Sequence, residues 1–168
     1  MKTDYDIDYY GWIQEQARLL RAGKVNELDL DNLAEEMESL GRQEYNELVS
    51  GLKVLIGHIL KWEYQPERQT RSWLITMKTQ RTEIEDILSD NPSLRTRIDE
   101  ALERGYKRAL DLAADETKLP YKTFPRSCRY TFEQILDPTF PVDVSEWENE
   151  GRGEEQVSSH NSQLTTHK

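Results

Sequence analysis

The sequence predicts an all-α protein: a bundle of four main helices around a central apolar helix, closed by a proline-rich C-terminal strap. Three observations carry this expectation. Leu48 to Trp62 is the most apolar run of a polar chain, and Leu48, Leu52, Leu55, Ile59 and Trp62 recur in it at helical steps. Three other stretches repeat steps of three and four residues, and none shows the period of two that a half-buried strand requires. From residue 118 the period fails, and prolines at 120, 125, 138 and 141 forbid any long element.

Taken in order, residues 6–22 read as a first helix. Tyr9, Trp12, Ile13, Gln16, Leu19 and Leu20 share a face, acidic residues stand at its start and Arg18 and Arg21 at its end, and Gly23 is a suitable stop. Asp29 or Asp31 caps a second helix, whose apolar stripe is Leu30, Leu33, Met37 and Leu40. Glu35, Glu36 and Glu38 form its outer face. The pattern continues through Gly41 into the central stretch. Unbroken from 31 to 63, it would extend about 50 Å at ~1.5 Å per residue, long against a radius of gyration of about 14 Å for a domain of this size. The expectation is therefore a bend or break near Gly41, with a projecting dimerisation arm as the alternative.

Val49, Val54, Ile56 and Leu60 widen the apolar side of the central helix until little of it can face water, which marks a helix surrounded by others. Gly57 within it implies close approach of another backbone. Gln65–Pro66 ends it. A third helix follows over about 70–89, with Trp73, Met77, Ile84, Ile87 and Leu88 inward and Arg71, Lys78 and Arg81 elsewhere. Asp90-Asn91-Pro92-Ser93 is a stop followed by a start, and a fourth helix is expected over about 92–116. Thr131 to Leu136 has room for one or two turns.

Residues 5–147 are expected to form one helical domain and 148–168 a disordered tail with little to bury. The net charge of −10 argues against general binding to nucleic acid or anionic membranes. One cysteine, Cys128, excludes an internal disulfide, and the acidic N-terminus is unlike a signal peptide. The longest apolar run contains Lys53, His58 and Lys61 and is too short to span a bilayer. A cytoplasmic location is expected, with no cofactor.

The order of motifs resembles the bacterial domain-of-unknown-function family 29 over Tyr9 to Val142. The segments that carry the likeness are LDLDNLAEEMESLG (28–41), GHILKWEYQPERQTRSW (57–73), DNPSL (90–94), Tyr106 with Ala109 and Ala113, and FPRSCRYTFEQILD (124–137). Family members often carry proline after the cysteine, where this chain has Arg129. The resemblance implies an all-helical fold and transfers no activity and no site residues.

Four constellations are candidates for chemistry. His58 is the only histidine outside the tail. It is either a general base or metal ligand, or a structural histidine whose tautomer a neighbour sets; the latter is favoured, because a carboxylate-bridged di-metal bundle needs Glu three residues earlier and residue 55 is Leu. Glu35 and Glu38, one turn apart, with Glu36, offer carboxylates for acid–base work or a divalent ion, but read first as a solvated acidic face. Cys128 lies between Arg126 and Arg129, whose charge favours a thiolate, yet only His58 is available as a base.

Residues 118–130 hold four basic residues, Lys118, Lys122, Arg126 and Arg129, and no acidic one, interleaved with Tyr121, Phe124 and Tyr130. The pattern fits a strap laid on the bundle better than a short nucleic-acid footprint. Residues 1–50 carry a net −7, from 5 Lys and Arg against 12 Asp and Glu. This asymmetry favours a module that docks on a basic protein partner. A homodimer through the 31–63 helix is the alternative partner arrangement, and an enzyme centred on His58 with nearby carboxylates or Cys128 is the alternative function.

Overall fold

The computed structural model of the chain describes residues 4–143 and 145. Five α-helices account for most of them: α1 (Tyr9–Arg21), α2 (Leu30–Tyr64), α3 (Arg71–Asp90), α4 (Ile98–Thr117) and α5 (Phe132–Leu136). Among the described residues there is no strand. The fold is the expected all-α bundle. It divides into two compact units, residues 1–44 and 45–168.

In the first unit, Asp8 caps α1 by accepting from the Gly11 amide at 2.9 Å, and Gly23 ends it at φ 67°, the left-handed region glycine enters without strain. Trp12, Gln16 and Leu19 are buried. The Trp12 indole N–H donates to Asp29 at 3.1 Å, and the Gln16 amide oxygen accepts from the Asp29 backbone N–H at 2.8 Å. Tyr5 packs edge-on against Trp12, with ring centroids 4.8 Å apart.

No break occurs at Gly41, and the stripe before it is largely uncovered. α2 runs unbroken through Gly41, because one interior glycine costs only ~1 kcal/mol among good helix formers. Most of the apolar stripe of its first half is not packed: Leu30, Met37 and Leu40 are 59%, 64% and 63% exposed, and Leu33 is half-buried. α1, at 13 residues, offers this unit one short apolar edge, and the buried residues of that edge are Trp12, Gln16 and Leu19.

In the second unit, the other half of α2 is the centre of the core. Leu48, Val49, Leu52, Leu55, Ile56, Ile59 and Leu60 are sealed from solvent, together with Leu74, Met77, Ile84 and Leu88 of α3 and Ala101, Ala109 and Ala113 of α4. Trp73 and Ile98 pack against this core only partly buried. A Cβ at Gly57 would meet the Leu112 side chain at 2.6 Å, so a side chain and not a backbone fills that space. The close backbone approach lies at Gly105, where a Cβ would stand 2.9 Å from Leu52 Cβ and 3.4 Å from the Val49 carbonyl oxygen.

The fourth helix begins later than its sequence suggests. Pro92–Arg97 winds as a 3₁₀-helix, and α4 starts at Ile98. Residues three apart eclipse in that tighter winding; Leu94 is buried and Arg97 lies over the Tyr45 ring, 3.8 Å from its centroid.

The strap covers the bundle of this unit. Phe124 and Ile135 are buried, and Tyr130, Phe132 and Phe140 pack against the core. Thr131 and Gln134 form a reciprocal capping box that starts α5. The strap's own Arg126 and Arg129 are exposed. Arg81, expected outside the core, ties it instead: it is 5% exposed, its Nε donates to the Ile135 carbonyl at 2.9 Å, and its Nη2 donates to the Phe140 carbonyl. A proline-rich backbone leaves carbonyls without helical partners, and the guanidinium supplies two donors at once. The tail expected over 148–168 lies outside the described residues.

Candidate functional site

The candidate residues fall into separate places. His58 Nδ1–H donates to the Val54 carbonyl at 2.8 Å, one turn back along α2. The carbonyl can only accept, so the proton of the neutral ring sits on Nδ1 and Nε2 is left as an acceptor. Burial holds the imidazole below its ordinary pKa of 6.5, and nearby Lys61 acts in the same direction, against the Val54 bond and the Glu116 charge.

Beside His58 is a group that sequence reasoning did not assemble. Lys61 is 4% exposed and donates to Glu116 of α4, and its ammonium lies 4.3 Å from the Trp73 ring centroid. A buried ammonium needs this pairing to offset its lost hydration. The nearest sequence signal was the three-residue step from His58 to Lys61. The Lys61–Glu116 separation of 55 residues has no local signature. His58 Nε2 is thus an acceptor near an ion pair whose two members act on the ring with opposite signs, Lys61 lowering and Glu116 raising its pKa.

Cys128 is half-buried, its thiol lies 3.5 Å from the Tyr130 carbonyl, and burial pushes its pKa up. That direction is opposite to the one an activated thiolate requires. Cys128 and Arg126 line a cleft of about 400 Å³ with Leu102, Tyr106 and Lys107, whose ammonium is paired with Glu103 at 3.0 Å. Tyr106 donates to the Pro125 carbonyl at 2.6 Å, and burial pushes it up to about 12. Lys122 and Arg129 are exposed on the strap.

Glu35 and Glu38 belong to the first unit and are exposed, Glu38 at 3.7 Å from Arg42. Glu36, read with them as one acidic face, is engaged: it accepts from the Tyr5 hydroxyl and, at 2.9 Å, from the Tyr9 hydroxyl. These bonds hold its carboxyl below the usual range and push Tyr5 up to about 12. Among the described residues no group of three or more His, Cys, Asp or Glu is placed to hold a metal ion.

The feature that stands apart is in the first unit. Of the ten large hydrophobic residues that are exposed among the described residues, eight are Ile7, Tyr9, Tyr10, Leu20, Val25, Leu30, Met37 and Leu40, all within residues 1–44. The same 44 residues hold 5 Lys and Arg against 11 Asp and Glu, a net of −6; residues 45–168 hold 17 against 21, a net of −4. The exposed large hydrophobics and the acidic excess thus fall in the same unit.

No helix among the described residues is long and apolar enough to cross a membrane. Comparison with curated proteins and with solved structures finds no match. The domain of unknown function DUF29 matches residues 5–141, which hold every helix described above, and the chain belongs to that family.

Proposed function

We propose that the protein is a protein–protein interaction module that docks through its first unit. The observation that carries this reading is the exposure of Leu30, Met37 and Leu40, an apolar stripe that a stably folded helix leaves in water. Burying three such side chains at ~1.5–3 kcal/mol each gives a partner a gain that the fold itself does not take. The carboxylates of this unit keep such a surface soluble while it is uncovered.

The test is site-specific photo-crosslinking in the native cell. A photoreactive residue at position 37 or 40 should yield discrete heteromeric adducts. The same residue at position 75, where Ile75 is also exposed but belongs to the second unit, should not. Absence of adducts at 37 and 40, or the same adducts from 75, defeats the reading.

A further inference from the structure

Docking through the first unit leaves the chemistry of the partner open, and the partner inferred here presupposes that docking. Leu30, Leu33, Met37 and Leu40 succeed one another at steps of three, four and three, so they form one stripe along the first half of α2. From Leu30 to Leu40 the stripe is about 15 Å long at ~1.5 Å per residue, the length of roughly three turns of an opposing helix. Ala34 and Gly41, seven residues apart, adjoin it, and Ala34 is exposed. A Cβ built on Gly41 would meet nothing within 4 Å among the described residues. Its backbone is helical, so neither space nor conformation among those residues calls for a glycine there. Glycine is the poorest interior helix residue after proline, and small residues beside an apolar stripe admit a close helix. Asp31, Glu35 and Glu38 are exposed on the same stretch, within a unit of net −6.

We infer that the occupant is a cationic amphipathic helix of another protein, its apolar face on the Leu30–Leu40 stripe, its backbone close to Ala34 and Gly41, and its Lys and Arg beside the carboxylates. A second copy of this chain fits poorly, because it would set −6 against −6. The sign of the charge also opposes a phosphate-bearing surface.

Two labelled helical peptides of one apolar pattern, one Leu/Lys and the other Leu/Glu, test this on the full-length protein. The Leu/Lys peptide should bind, and its binding should weaken as salt rises, while the Leu/Glu peptide stays unbound. Met37→Ser with Leu40→Ser should weaken binding about tenfold or more, while circular dichroism shows the helix content kept. Gly41→Leu adds apolar surface into open space, so mere stickiness predicts tighter binding; the close-packed helix predicts binding weaker by about tenfold.

Leu/Lys binding that both variants leave unchanged is charge attraction alone and overturns the inference. Equal binding of the Leu/Glu peptide, or a wild-type dimer in sedimentation that Met37→Ser with Leu40→Ser dissolves, overturns the partner chemistry and leaves the docking surface standing. If neither peptide binds while adducts still form at positions 37 and 40, this inference fails and the docking reading survives. Failure of both experiments removes both.

Discussion

Gly41 and Gly105 lie in helix interiors and answer to different physics. At Gly41 an added methyl meets open space, so Gly41→Ala should stabilise the fold by up to ~1 kcal/mol through helix propensity alone. At Gly105 the methyl would press on Leu52 and on the Val49 carbonyl of α2, and backbone cannot yield as a side chain does. Gly105→Ala should therefore destabilise by ~1–3 kcal/mol, and urea melts of the two variants should shift in opposite directions. His58 permits a prediction of sign. Its folded pKa lies below the ordinary 6.5, so in the window just below that value the unfolded chain binds the extra proton. Stability conferred by the neutral ring is complete above the unfolded pKa and is lost as pH falls toward the folded one. The wild type should lose stability on acidification through this window more steeply than His58→Gln. Parallel curves would show that burial does not govern this imidazole.

At the scale of elements, the strap and α3 are joined by Arg81. Arg81→Ala would leave the Ile135 and Phe140 carbonyls without their donor and open a gap under α5. Bonds to charged groups contribute ~1.5–3 kcal/mol each, so a loss of at least ~2 kcal/mol is expected in thermal or urea melts. Arg81→Lys should recover little of it, because a single ammonium cannot reproduce the planar fork. Lys122→Glu, on the exposed side of the same strap, should change stability by less than about 0.5 kcal/mol. A strap that docks through its own cations would show the reverse order.

For the whole molecule, the distribution of burial along one helix sets a gradient of local stability. Between Leu48 and Trp62 almost every apolar side chain of α2 is sealed, whereas between Leu30 and Leu40 most are exposed. Backbone hydrogen bonds are continuous along both halves, so the contrast comes from packing. Native-state hydrogen exchange should place the slowest amides in Leu48–Trp62 and in the Ala101–Ala113 part of α4, with Leu30–Leu40 exchanging faster. Binding of the cationic helix should slow the latter selectively. Uniform protection along α2 would show that the exposed stripe has no energetic consequence.

The sequence by itself determined the helical class, the family, the approximate bounds of the main helices, the identity of the central core and the presence of a strap. These are local properties: apolar spacing, proline positions, capping residues and motif order are written within a few turns of chain. Only the tertiary structure decided which amphipathic face is covered. The Leu30–Leu40 stripe and the α3 stripe look alike as periodic patterns, but α3 finds the core of the second unit, whereas Leu30, Met37 and Leu40 stay exposed. The same holds for the polar groups. That Arg81 is buried, that Lys61 meets Glu116 and Trp73, and that Cys128 is a raised rather than a lowered thiol all depend on the packing of distant elements. A periodic pattern states that a face needs cover, and the neighbours that supply or withhold it are chosen by elements tens of residues away.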